Sequence, residues 1–154
     1  MSFFEGLLDS PPDRPSWPPG MNVRLFRPRL DERLVYELHM ETYADRARAF
    51  EREPFDRWCE RHLGSSFDPS LWFIAEVDDE PAGICLCNAT WSADGSLAWI
   101  SVLGVHRRWR QRGLGLALVL HVFGDLYRRG FLSVGLSLHG ENPRAHYISS
   151  GEKG

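Results

Sequence analysis

The run from Ser96 to Arg129 limits what this chain can fold into more than any other stretch. Leu97, Trp99, Ile100, Val102, Leu103 and Val105 form an uncharged apolar segment that predicts a strand over 96–105. Leu114 to Arg129 predicts a helix, apolar at Leu116, Leu118, Leu120, Phe123 and Leu126, basic at Arg128-Arg129 and stopped by Gly130. The loop between them carries Arg107, Arg108, Arg110 and Arg112 and closes on Gly113-x-Gly115. Glycine lets backbone approach a ligand closely, and the first N–H groups of a helix are unpaired donors. A basic loop feeding such a helix is a place to hold a phosphate anion.

Spacing decides which phosphate compound fits. A dinucleotide fingerprint needs a third glycine where Leu118 stands, and a Walker loop needs Lys-Ser/Thr where Leu116-Ala117 stand. Both nucleotide readings fail. Arg110-x-x-Gly113-x-Gly115 instead resembles the acyl-CoA pyrophosphate loop of the GNAT family of N-acetyltransferases, Gln/Arg-x-x-Gly-x-Gly/Ala between a strand and a long helix. The plain alternative is a basic turn before a core helix. The resemblance implies acetyl-CoA as cosubstrate, without a metal. It assigns cofactor contacts to Leu103, Val105, Arg110, Gln111, Arg112, Gly113, Leu114, Gly115 and Leu116, with the four loop arginines neutralising phosphate charge.

The flanking segments extend the likeness. Asn22–Arg27 reads as a strand, Asp31 as the cap of a helix through Leu34, Val35, Leu38 and Tyr43, and Phe55–Leu63 as a second helix. Strands follow over 71–77 and 81–90 around the Asp78-Asp79-Glu80 turn, and another over 132–138 after the long helix. This order predicts an α/β (α+β) fold with a mixed, mostly antiparallel sheet and flanking helices. It is the GNAT order over roughly residues 22–151. In that family the strand before the loop splays from the next parallel strand, and the pantetheine arm lies in the gap.

The 154 residues suit one domain. A net charge of −3 leaves the arginine loop as a local positive island, suited to a polyanionic small molecule rather than to nucleic acid. Cys85 and Cys87, two apart on a strand, point to one face, and together with Cys59 they read as buried structural thiols. There is no leader-like segment and no run long enough to span a bilayer, so a cytoplasmic location and no membrane partner are expected.

Residues 1–20 read as an extension, with Phe3, Phe4, Leu7 and Leu8 able to form one amphipathic turn and a Pro-rich linker after them; residues 21–154 are the acetyltransferase domain. Trp17-Pro18-Pro19-Gly20-Met21-Asn22-Val23-Arg24 resembles the join between the halves of tandem GNAT proteins of the mycothiol synthase-like kind. Phe67–Trp72 and Glu141-Asn142-Pro143 fit the same branch. The resemblance gives Asn142 a contact to the CoA arm, where a turn residue is the alternative. It makes Tyr147 the acid that protonates the leaving thiolate. Tyr147 follows Asn142 about two residues sooner than in the family, a helical rotation of roughly 200°, so a packing tyrosine is the alternative reading. After Gly151 only Glu152-Lys153-Gly154 remain, too few for the usual C-terminal strands of about five residues each. Either this ending is truncated or altered, or another segment fills that edge of the sheet; an open edge would invite a homodimer.

The function implied is direct acetyl transfer from acetyl-CoA to a primary amine of a small molecule or peptide. The alternative is a catalytically impaired acyl-CoA-binding or assembly domain derived from a tandem protein. General-base candidates are His39, Glu41, Asp45 and His106, although a surface role is the default reading for each. Trp91, Trp99 and Trp109 are candidate walls of an acceptor site, or core.

Overall fold

The structure, a computed structural model, describes residues 2–17, 19–46, 51–65, 67–90 and 92–138. Its six strands are β1 (Ser2–Leu7), β2 (Met21–Leu25), β3 (Trp72–Val77), β4 (Glu80–Asn88), β5 (Leu97–Val105) and β6 (Ser133–Leu138). Its α-helices are α1 (Glu32–Arg46), α2 (Phe55–His62) and α3 (Leu114–Arg128). The strands form one sheet in the order β1-β6-β5-β4-β3-β2. Among the described strands only β5 and β6 run parallel, which is what a crossover through α3 requires. The mixed, mostly antiparallel α+β fold expected from the sequence is therefore the one observed.

Alternation along the strands splits the core. Phe73, Ala75, Cys85, Cys87, Ala98 and Ile100 pack on α3, whereas Trp72, Ile74, Ile84 and Leu86 pack on α1 and α2. Cys85 and Cys87 share a buried face as expected. Asp78 and Asp79 both take left-handed conformations (φ 50° and 68°), as a two-residue hairpin between β3 and β4 needs. Gly130 (φ 92°) ends α3: its N–H donates to Tyr127 O at 3.1 Å and that of Phe131 to Leu126 O at 3.1 Å, a Schellman closure.

The N-terminal segment departs from expectation. Ser2–Leu7 is a strand, not an amphipathic turn, and pairs antiparallel with β6 from Ser2↔Leu138 to Leu7↔Ser133. Leu8 continues it, buried in the α3-side core with its N–H on Leu132 O at 2.8 Å. Another segment thus fills the edge that the sequence left open. A local pattern of Phe-Phe and Leu-Leu could not show a partner so distant along the chain.

Candidate active site

β5 builds the site by changing partners along its length. Toward β6 its pairing runs from Leu97↔Ser133 to Ile100↔Leu136, while toward β4 it continues to Gly83↔Val105. Ser101–Val105 therefore has no partner on the β6 side among the described residues. The parting coincides with a bulge: Leu86 faces Val102 and Cys87 faces Ile100, leaving Ser101 as the extra residue, its Oγ donating to Leu86 O at 3.1 Å. Such an insertion bends a strand and resets its alternation. Ala98 and Ile100 face α3, Val102 faces α1, and Leu103 and Val105 face α3 again.

Backbone direction follows. His106 N–H donates to Ala82 O at 2.8 Å, so Gly104 also turns toward β4. The N–H and C=O groups of Leu103 and Val105 then point into the gap left by β6. Val105 O accepts from Arg110 Nε at 2.9 Å across the mouth of that gap. Glycines set how closely the layers approach. A Cβ on Gly104 would collide with Thr42 Oγ1 of α1, and one on Gly135 with the Trp99 ring. Trp99 is accordingly core, covering Gly135, rather than an open wall.

Beyond Val105, residues Arg107–Trp109 make one 3-10 turn, capped by His106, whose Nδ1 accepts from Arg108 N–H at 3.1 Å. Because Nδ1 accepts, the neutral ring carries its proton on Nε2, which faces Glu41 at 3.5 Å. Gln111 (φ 62°) and Gly113 (φ 76°) turn the chain into α3, whose start has no side-chain cap. Its first backbone bond is Ala117 N–H to Gly113 O at 3.0 Å. The N–H groups of Leu114, Gly115 and Leu116 thus point out of the helix end, at the positive pole of its dipole. Leu103, Val105 and the loop 110–116 are brought together here, around one gap and one helix end.

The arginines are divided. Arg107 Nε lies 3.7 Å from Glu41 Oε1 and Arg108 Nη1 3.0 Å from Glu80 Oε2, while Arg108 and Arg112 lie over the Trp109 ring at 5.0 and 5.3 Å. All four side chains thus have a partner in the protein: Arg107 and Arg108 a carboxylate, Arg110 a backbone carbonyl, and Arg112 the Trp109 ring. Glu41, His106 and Trp109 line a groove of about 400 Å³ between α1 and the 3-10 turn, with Leu38 and Pro81 on its floor.

His39 is buried, not solvated: its Nδ1 accepts from Trp58 Nε1 at 2.9 Å, joining α1 to α2. Beside it His62, at a ring distance of 5.3 Å, is pushed down to about 4 by burial and by neighbouring Arg61, and so is neutral at pH 7. Asn142, Tyr147 and Trp91 lie outside the described residues, as does the side chain of Asp45. No cluster of three His, Cys, Asp or Glu able to hold a metal occurs among the described residues, and no described helix is long and apolar enough to cross a membrane.

Residues 33–147 match the acetyltransferase (GNAT) family. This chain belongs to that family. The GNAT chain is 30% identical over 143 residues to a mycothiol acetyltransferase of Thermobispora bispora, covering 90% of itself and 48% of that protein. It superimposes on a GCN5-related N-acetyltransferase of Sphaerobacter thermophilus with a TM-score of 0.80 and 36% identity, over 96% of itself and 46% of that chain. It thus spans about half the length of both. The PaiA N-acetyltransferase of Thermoplasma acidophilum, in complex with coenzyme A, shares the fold at a TM-score of 0.62 and 14% identity, over 85% of this chain and 87% of that one.

The feature of this GNAT site that sequence reasoning missed is the bulge at Ser101. An unbroken apolar run has no alternation in which a phase slip could be seen. Gly104 inside that run was a usable signal, since glycine in a strand marks close approach by another element.

Proposed function

We propose that this chain moves an acetyl group from acetyl-CoA directly to a primary amine of a small molecule or peptide, in the cytoplasm. The observation that carries the reading is the parting of β5 from β6 immediately before an uncapped helix start. The gap-facing N–H and C=O groups of Leu103 and Val105 suit the amides of a pantetheine arm. The N–H groups of Leu114–Leu116 suit a pyrophosphate at its end. Gln111 and Gly113 give the loop its left-handed turns, and Arg112 adds positive charge at the helix start.

Direct transfer needs a neutral amine, a polarised thioester carbonyl and a protonated leaving thiolate. A backbone N–H of β5 beside the gap serves the carbonyl. Tyr147 delivers the proton to the thiolate, and Asn142 holds the cofactor arm. The amine nitrogen bonds to the acetyl carbon as the C–S bond breaks; the N–H proton of the adduct leaves to solvent and the Tyr147 phenolate takes one back from solvent, leaving a neutral amide and the free thiol of CoA.

Calorimetric titration with acetyl-CoA, coupled to release of free thiol over a panel of primary amines, tests this. Gly113→Asp places a carboxylate at the anion site, while Gly113→Asn is its uncharged match; both residue types tolerate the left-handed conformation better than other side chains do. Binding by wild type and by Gly113→Asn, lost in Gly113→Asp, is the expected pattern. Absence of binding in the wild type would sink the cofactor assignment. Binding without thiol release for any amine would favour the non-catalytic acyl-CoA-binding alternative.

A further inference from the structure

Arg110 and Arg112 stand two residues apart in the loop, yet they meet different surroundings. Arg110 is half-buried, and its Nε–H is given to the Val105 carbonyl at 2.9 Å. That carbonyl points into the gap where β6 has departed, and among the described residues no ladder donor reaches it there. A backbone acceptor left unpaired beside the core is costly, and the Arg110 Nε–H removes that cost. It also ties the loop to the last residue of β5. Arg112, by contrast, is exposed, forms no ion pair among the described residues, and rests only against the Trp109 ring. It directly precedes Gly113, at the foot of the open helix start.

We infer that the two arginines have separate duties: Arg110 is a positioning residue that braces the loop against the splayed strand, and Arg112 is the guanidinium that meets the cofactor phosphates. The assignment of phosphates rests on the acyl-CoA reading above; the brace does not. Bracing fixes where Val105 presents its N–H and where the helix start faces. Phosphate neutralisation needs charge and reach, but no fixed anchor.

The chemistry of the two side chains separates the duties. Glutamine carries an N–H donor the same number of bonds from Cα as arginine Nε, but no charge. Lysine keeps the charge, with its ammonium one bond farther out. A brace is therefore preserved by Arg110→Gln and lost in Arg110→Lys, and a charge contact behaves in the opposite way.

The experiment measures acetyl-CoA affinity at low and high salt for wild type, Arg110→Gln, Arg110→Lys and Arg112→Gln. It adds amide hydrogen exchange of the ligand-free proteins over residues 105–117. Arg110→Gln should stay within about twofold of wild type, and Arg110→Lys should bind about tenfold more weakly. Arg112→Gln should bind about tenfold more weakly at low salt, with a shallower salt dependence because one screened charge is gone. In the free proteins, exchange over 105–117 should match wild type in Arg110→Gln and rise about tenfold in Arg110→Lys. Wild-type affinity in Arg110→Lys with weak binding in Arg110→Gln would overturn the brace, as would equal exchange in all Arg110 variants. Unchanged affinity in Arg112→Gln would overturn the phosphate role. If wild type fails to bind, the acyl-CoA reading falls and the Arg112 role with it, and hydrogen exchange alone decides the brace.

Discussion

Asp31 shows how one side chain can start a helix without capping it. Its backbone carbonyl accepts from Val35 N–H at 3.0 Å, but its carboxylate turns back to Arg27 N–H at 2.7 Å and to the Arg24 fork at 2.7 and 3.0 Å. Burial raises this carboxyl, but the hydrogen bonds from Arg24 and Arg27 outweigh it and hold it at about 2, below the ordinary 3.8. A depressed carboxylate stabilises the fold above its unfolded value, and that contribution fades as pH falls from about 3.8 to about 2. Asp31→Asn should therefore cost about 2 kcal/mol at pH 7 and flatten the acid limb in that window. His62 acts in a different window. Held neutral at about 4 by burial, it favours unfolding as pH falls from 6.5 toward 4, because the unfolded imidazole takes up its proton first. His62→Gln should flatten the curve between those values and leave the Asp31 window intact. Urea denaturation from pH 2 to 8 reads both, and a single shared window for the two variants would contradict the assignments.

Among the elements, β5 governs the site because the bulge at Ser101 bends it where its pairing with β6 ends. Deleting Ser101 would restore a regular ladder and leave Leu103 and Val105 facing α3, but it would remove the bend at which β5 parts from β6. The deletion should weaken acetyl-CoA binding about tenfold in a chain that still unfolds cooperatively; unchanged affinity would show that the bulge is not required. The seat of α1 on β5 can be probed separately. Gly104→Ala drives a methyl into Thr42, an overpacking cost of about 1–3 kcal/mol, and Thr42→Ala in the same chain should recover part of it. Independent, additive costs would place the strain elsewhere. Most elements were legible in the sequence, since turn residues such as Asp78-Asp79 and Gly130 punctuate apolar runs. The loop and its gap partners Leu103 and Val105 were legible from spacing and resemblance. The arginine duties were not: Glu41 and Glu80, which occupy Arg107 and Arg108, lie far off in sequence.

On the scale of the whole molecule, the chain closes its sheet with its own first residues. β6 shares four residue pairs with β5 but six with β1, so its place in the sheet rests more on the N-terminal strand than on its parallel neighbour. Leu8 adds a buried side chain worth about 1.5–3 kcal/mol, and beyond it the linker returns past α3, where the Trp17 ring lies 5.7 Å from that of His121. Since β6 is one wall of the gap, β1 supports the candidate site from the side away from the cofactor. Removing residues 2–8 should therefore speed hydrogen exchange of the β6 amides well before those of β3 and β4, which lie on the other side of β5. It should also bare the β6 edge, and an unpaired edge recruits strands from other molecules. Sedimentation velocity should then show concentration-dependent association stronger than that of the intact chain. Equally slow exchange in β6, together with an unchanged sedimentation coefficient, would mean that α3 and the core hold β6 without its outer partner.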